Sequence, residues 1–236
     1  MRLKPQVHLP HCITNWFPLA IWRMPIDKKV VYLTFDDGPI PEVTPWVLDL
    51  LMEHNIKATF FAVGENVFRY PEIFEQIVED GHAVGNHTYH HLQGLKSDNK
   101  TYYKDIVHAN KMIGSNLFRP PHGWLKRAQY RYLSGKYKII MWDVISCDYN
   151  RNITREEVLN NVLEFAREGS IITFHDSLKA EGHLKWALPR AIEALKAEGY
   201  EFDKIEFPKV RRLVFSPALQ RIRRFRNNLR QLGLRS

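Results

Sequence analysis

Short apolar runs of strand length alternate with amphipathic segments of helical length along most of the chain, and this alternation limits the possible folds more than any other feature. Strands are expected over residues 30–35, 58–63, 83–86, 117–119, 138–143, 170–175 and 204–207. Helices are expected over 42–55, 71–80, 98–113, 126–134, 154–167 and 184–198. In the first helix Val43, Val47, Leu50, Leu51 and His54 fall near one face. Pro71 opens another, and Gly81 and Gly199 lie just past two helix ends. Such a pattern gives parallel strands joined by crossover helices, and the count suits a distorted, incomplete (β/α) barrel of α/β class. An open doubly wound sheet is the rival. No Gly-x-Gly-x-x-Gly or Walker-type loop follows any strand, which argues against a nucleotide fold. A chain of 236 residues, 44% of them hydrophobic, supplies one sizeable core.

The flanks read differently. Residues 1–28 carry Pro5, Pro10, Pro18 and Pro25 among Trp16, Phe17, Ile21 and Trp22, an irregular arm whose aromatics pack on a domain spanning 29–208. Residues 209–236 hold nine Lys and Arg and no Asp or Glu, so the net charge of +8 belongs to this tail and the remainder is at −1. Nucleic-acid binding by the whole protein is therefore not expected. Leu219, Ile222, Phe225, Leu229 and Leu232 recur among the tail arginines, giving a basic amphipathic helix. It is expected to dock on the barrel, with peripheral attachment to an anionic membrane or polymer as the alternative. No apolar run is long enough to span a bilayer, and residues 12–22 make a poor signal peptide, being broken by Asn15 and Pro18. A cytoplasmic or membrane-peripheral monomer is the expectation from these features. Cys12 and Cys147 are the two cysteines, so any metal must be held by histidine and carboxylate.

Unusual polar residues gather where successive strands end. Residues 34–39 read Thr-Phe-Asp-Asp-Gly-Pro, placing Asp36 and Asp37 side by side at a turn. Adjacent anions need a cation, a shared proton or open water. His87, His90 and His91 follow the third strand, Arg119-Pro-Pro-His-Gly the fourth, Asp143 to Asp148 the fifth, and His175-Asp176 the sixth. In a parallel barrel all these ends open on one face, which carries the active site. His87 and His91 are four apart, a spacing that in a helical turn puts both imidazoles on one face; His90 competes with His91. Two histidines and one carboxylate leave a coordination position for water, the catalytic arrangement of zinc. Pro120-Pro121 stiffens the backbone that presents the His122 and Gly123 N–H groups, as an oxyanion requires. Arg119 can brace a carboxylate and keep it ionised. His175, with a pKa near working pH, can give a proton, with Asp148 or Arg119 holding it in place.

Taken together, these five segments resemble the NodB-homology polysaccharide deacetylases, carbohydrate esterase family four, over about residues 29–207. The resemblance implies a distorted (β/α) barrel that removes N-acetyl groups from N-acetylglucosamine polymers, peptidoglycan or chitooligosaccharide, at the cell envelope. It also implies one divalent metal, zinc first, with cobalt, nickel or iron as alternatives. By match, Asp36 corresponds to the general base, and Asp37, His87 and His91 to the metal ligands. Arg119 corresponds to the arginine that orients the base, and the His122 N–H to the oxyanion donor. Asp148 matches the acid that partners both the arginine and the catalytic histidine, and His175 matches the general acid. The fourth motif departs from the pattern: residues 145–149 read Ile-Ser-Cys-Asp-Tyr, without the usual first acid and with Tyr149 in place of Trp. In the fifth, Thr173 stands for the usual Leu. Tyr149, Thr173, Trp142 and Pro121 are the expected substrate-binding residues, with Trp124 and Trp142 either stacking on sugar or belonging to the core. The altered pocket keeps open a metal amidohydrolase acting on a small non-sugar amide, and a sugar-binding homologue without turnover is a further alternative. An iron oxygenase would explain the ligands but leave Asp36, Arg119 and His175 without roles.

Overall fold

The computed structural model describes residues 7–8 and 14–207. The chain divides into two compact units, Met1–Ile205 and Glu206–Ser236. The helix expected over 209–236 and the beginning of the arm lie outside the described residues.

The first unit alternates β1 (Val30–Asp36), α1 (Thr44–Glu53), β2 (Thr59–Ala62), α2 (Gly64–Arg69), α3 (Pro71–Glu79), β3 (Ala83–Asn86), α4 (Asn99–Ile113), β4 (Leu117–Phe118), α5 (Arg127–Ser134), β5 (Lys138–Ile139), β6 (Val144–Ile145), α6 (Arg155–Phe165), β7 (Ile171–His175), α7 (Glu181–Ala197) and β8 (Glu201–Phe202). Helix starts follow local chemistry. The Asp98 side chain accepts from the Thr101 N–H at the head of α4, and Thr154 with Glu157 forms a reciprocal capping box on α6.

All strands pair in parallel, in the order β5-β4-β3-β2-β1-β7-β6, and β8 joins β1 at Val30 and Val31. The connection between β5 and β6 makes this sheet curl. The two strands lie at opposite edges, yet only residues 140–143 separate them. Laid flat, seven strands would put those edges roughly 29 Å apart. Five extended residue steps reach about 18 Å at most. The sheet closes into most of a barrel, and the N-terminal arm sits in the seam: Ile21 pairs in parallel with Ile140 and exchanges hydrogen bonds with Ile139 and Met141.

This seam corrects the sequence reading, which ran one strand through 138–143. The strand breaks after Ile139, because the chain must leave the β4 edge to reach β7. Among the described residues the last strand is Glu201–Phe202 and not 204–207, while α2, six residues with only Gly64 and Val67 buried, has no apolar stripe to announce it.

Both faces of β1 are buried. Val31, Leu33 and Phe35 share one apolar cluster with Val47 and Leu51 of α1 and Leu184 and Leu188 of α7, and so face the helices. The alternate residues Thr34 and Asp36 point to the barrel interior, where both meet Arg119. The Arg119 guanidinium lies 4.1 Å from the centre of the Phe61 ring. That ring in turn lies across Gly85 of the next strand, where a Cβ would come within 2.4 Å of it.

Candidate active site

Arg119 leaves the end of β4 and fills the barrel interior with no solvent exposure. Its Nη1 donates to Asp36 Oδ1 at 2.7 Å and to Thr34 Oγ1 at 2.8 Å. Nη2 donates to the Met141 carbonyl at 2.8 Å and Nε to that of Ile140 at 3.3 Å, both in the seam. A buried cation tied on so many sides fixes the Asp36 carboxylate in one orientation and supplies its counter-charge.

Asp37 turns away from Asp36 by adopting φ +86°, a left-handed value that few side-chain-bearing residues accept. Its Oδ1 lies 3.2 Å from His91 Nε2 and 3.8 Å from His87 Nε2. One donor atom from each of the three residues lies within 4.8 Å of the others. The two histidines meet without a helical turn. Thr88 at φ +65° and His91 at φ +53° fold 87–91 into a tight loop, so the expected i, i+4 helix face is not the cause of their approach. The loop is pinned from below: Asn86 Oδ1 accepts the Thr88 N–H, and Asp105 Oδ2 accepts the N–H groups of Tyr89 and His90. Asp105 also takes His90 Nδ1 at 2.5 Å, which removes His90 from the trio. Five of the six described non-glycine residues with positive φ, namely Asp37, Thr88, His91, His122 and Cys147, stand in these strand-end loops. Concentrated strain of this kind marks functional sites.

The trio fits a divalent cation. His87 Nδ1 lies 2.8 Å from the Arg119 carbonyl oxygen, so Nδ1–H donates there and Nε2 keeps its lone pair for a metal. Burial, ahead of the neighbouring charges, pushes His87 down to about 4, keeping it neutral as a ligand must be. Burial would raise Asp37, but the His91 hydrogen bond and the nearby His175 and His87 hold it well below the usual carboxylate range.

His175 ends β7. Its Nδ1 meets Asp148 Oδ1 at 2.7 Å, and its backbone N–H donates to Asp148 Oδ2 at 2.8 Å. Burial alone would lower the imidazole. The Asp148 carboxylate, aided by Asp37 and Asp36, overrides it and raises the pKa to about 9. Contrary to the expectation from sequence, Asp148 does not also meet Arg119, since the guanidinium's hydrogen bonds go to Asp36, Thr34 and the two seam carbonyls.

Pro120 and Pro121 lead into His122 at φ +61°, which turns the chain back so that the Gly123 N–H donates to the Pro120 carbonyl. Of the two N–H groups expected here, that of Gly123 is thereby committed, which leaves that of His122. The His122 ring stands 5.0 Å from that of His91.

These groups share one cleft of about 530 Å³, lined by Asp36, Asp37, His87, His91, His122, His175, Pro120, Tyr149, Trp124 and Trp142. Thr173 does not reach it. The side chain lies fully buried beside Thr34, 3.1 Å between hydroxyls, because strands β1 and β7 pair with these two residues in register. Pro121 is buried as well, and Pro120 takes the lining position.

Four residues that had no site role in the sequence reading contribute. Phe17 and Trp22 of the arm line the cleft, as does Lys179. Asp176, 1% exposed, holds the Asp36–Asp37 turn from behind: Oδ1 accepts the Gly38 N–H at 3.0 Å and Oδ2 the Thr44 hydroxyl at 2.6 Å. The approach is so close that a Cβ on Gly38 would lie 1.9 Å from Oδ2. Its place directly after His175 was the available signal. Asp176→Ala should lower the melting temperature and weaken cation binding about 10–100-fold, as loss of an outer support does. Asp176→Asn, keeping one acceptor, should recover part of both. Thermal denaturation and a metal titration check this, and unchanged affinity in the alanine variant would dismiss the support role.

The polysaccharide deacetylase family profile matches residues 23–142. The chain is 34% identical over 188 residues to a peptidoglycan-N-acetylglucosamine deacetylase of Bacillus cereus, covering 77% of this chain and 88% of that one. It is 34% identical over 204 residues to a chitooligosaccharide deacetylase of Azorhizobium caulinodans, covering 78% and 96%. Among solved structures it is similar to a peptidoglycan N-acetylglucosamine deacetylase in complex with 4-naphthalen-1-yl-N-oxidanyl-benzamide, with a TM-score of 0.76, 32% identity and coverage of 83% and 94%. By sequence and by fold, the chain belongs to the polysaccharide deacetylase family of hydrolases.

Proposed function

We propose that the chain hydrolyses the N-acetyl group of N-acetylglucosamine units in a glycan of the peptidoglycan or chitooligosaccharide kind, with a divalent cation, zinc first, held by Asp37, His87 and His91. The observation that carries this reading is the single cleft in which that trio, the Arg119-braced Asp36 and the Asp148-bound His175 all meet. The named activities of the relatives point the same way. A peptidoglycan substrate would place the protein at the cell envelope; among the described residues no helix is long and apolar enough to cross a membrane.

When bound, the cation supplies Lewis acidity toward the acetyl oxygen and lowers the pKa of a water to about 7. Asp36, aimed by Arg119, accepts a proton from the attacking water. The rigid His122 N–H donates to the oxygen that gains charge as the carbonyl carbon becomes tetrahedral. His175, protonated at neutral pH because of Asp148, gives its proton to the sugar nitrogen as the carbon–nitrogen bond breaks. Acetate and a free amine result. The indoles of Trp124 and Trp142 offer flat apolar faces to the pyranose.

Acetate release from chitooligosaccharides and from peptidoglycan fragments is the test. Zinc-loaded protein should release acetate from at least one of them, a chelator should abolish the release, and added zinc should restore it. Release unaffected by a chelator would remove the metal from the proposal. Hydrolysis of small N-acetyl amides alone would favour the amidohydrolase alternative, and retention of sugar without release would favour the binding homologue.

A further inference from the structure

We propose that Lys179 reads a carboxylate on the sugar adjoining the one deacetylated, so that the cleft selects acidic glycans over neutral ones. This rests on the deacetylase reading above. The cleft, at about 530 Å³, is large enough for more than the reacting acetamide. Its two lining carboxylates already have partners: Asp36 has Arg119, and Asp37 has the two histidines. The proton donor His175 has Asp148. Lys179 lines the same cleft, and among the described residues no carboxylate lies within ion-pair distance of its ammonium.

The backbone that carries this exposed lysine is fixed. Ala180, next in the chain, is fully buried and donates its N–H to the Ser177 carbonyl at 3.0 Å, so the lysine stem leaves from a fixed point. Its Nζ lies 5.4 Å from the centre of the Tyr149 ring, and that ring lies 4.9 Å from the ring of His175. The ammonium is therefore no more than about 10 Å from the imidazole, across a single aromatic ring. Contact with a π face attracts the cation but leaves its N–H donors for a ligand. Phe17, Trp22, Trp124 and Trp142 make much of the remaining wall and bring no charge. Lys179 thus sets the sign of the substituent that the neighbouring sugar can carry. In peptidoglycan that carboxylate has two sources, the lactyl group of N-acetylmuramic acid and the peptide stem.

The test compares kcat/KM within each variant, so that a folding defect cancels in the ratio. The substrates are peptide-free oligomers of alternating N-acetylglucosamine and N-acetylmuramic acid, the same oligomers methyl-esterified, and stem-bearing oligomers. The zinc-loaded full chain should prefer a carboxylate-bearing oligomer over the ester by about fivefold at low ionic strength, and less with added salt, as an exposed ion pair requires. Preference for the free lactyl acid names that source, and preference confined to the stem-bearing oligomer names the other. Lys179→Met should bring the ratio close to one, Lys179→Glu should invert it, and Lys179→Arg should retain it. Equal rates of the wild-type protein on acid, ester and stem-bearing oligomers, or a preference unchanged in Lys179→Met, would overturn the proposal with the deacetylase reading intact. No acetate from any substrate, chitooligosaccharides included, would overturn the deacetylase reading itself.

Discussion

Asp36→Asn should reduce kcat/KM for deacetylation by about 10²–10⁴-fold while the protein still binds one cation. That is the usual contribution of a positioned general base. The substituted amide accepts no proton, yet its oxygen still offers Arg119 Nη1 an acceptor where the carboxylate stood at 2.7 Å. The guanidinium is fully buried, so losing its counter-charge also costs stability. Breaking a buried pair costs about 3–5 kcal/mol, and the surviving hydrogen bond keeps the loss near the lower end. A fall in melting temperature of roughly 6–12 °C should follow for a domain of this size. Asp37→Asn should behave the other way, losing the cation first and activity as a result. Metal content, thermal denaturation and initial rates on both variants check the pair. Cation lost from Asp36→Asn but kept by Asp37→Asn would reverse the two assignments.

Asp148→Asn should abolish the proton supply at neutral pH. In the native protein the raised pKa of His175, about 9, keeps the imidazole charged through the neutral range. With the ordinary histidine value near 6.5, this pair contributes stability that is complete below about pH 6.5 and is lost as pH rises through 9. Activity should decline over the same alkaline limb, at or somewhat below pH 9 in the loaded enzyme, because a bound dication repels the imidazolium. Without the Asp148 carboxylate, burial is the largest remaining influence and lowers the imidazole, opposed only by Asp37 and Asp36. His175 would then be neutral at pH 7–8, and turnover should fall by about 10²–10⁴-fold there. Imidazole titration by NMR in the metal-free protein reads the shift directly. A His175 pKa unchanged in Asp148→Asn would remove Asp148 from this role.

The alternation of strand and helix, the order of the polar strand ends and the identities of Asp36, Asp37, His87, His91, Arg119, Asp148 and His175 were all legible in the chain, because they depend on local pattern and on motifs in sequence order. Choices between neighbours were less so. Residue spacing left His90 and His91 in competition, and the outcome depends on Asp105, fifteen positions beyond His90, which captures His90 and leaves His91 beside Asp37. The partner of Asp148 was half legible. Its histidine is present, but the arginine spends its hydrogen bonds on carbonyls that reach it only because the 138–143 segment breaks to cross the seam.

What the sequence determined by itself was the parallel α/β architecture and the set of reactive groups at one end of it, since period-2 and period-3.6 apolar patterns and strand-end placement are properties of short stretches. The tertiary structure decided which of those groups touch and what encloses them. It turned Thr173 into the floor beneath the site, set Asp176 behind the Asp36–Asp37 turn, and brought Phe17, Trp22 and Lys179 to the cleft. Those outcomes depend on how far the sheet curls and where its seam falls, which the short β5–β6 connection imposes across the whole width of the sheet.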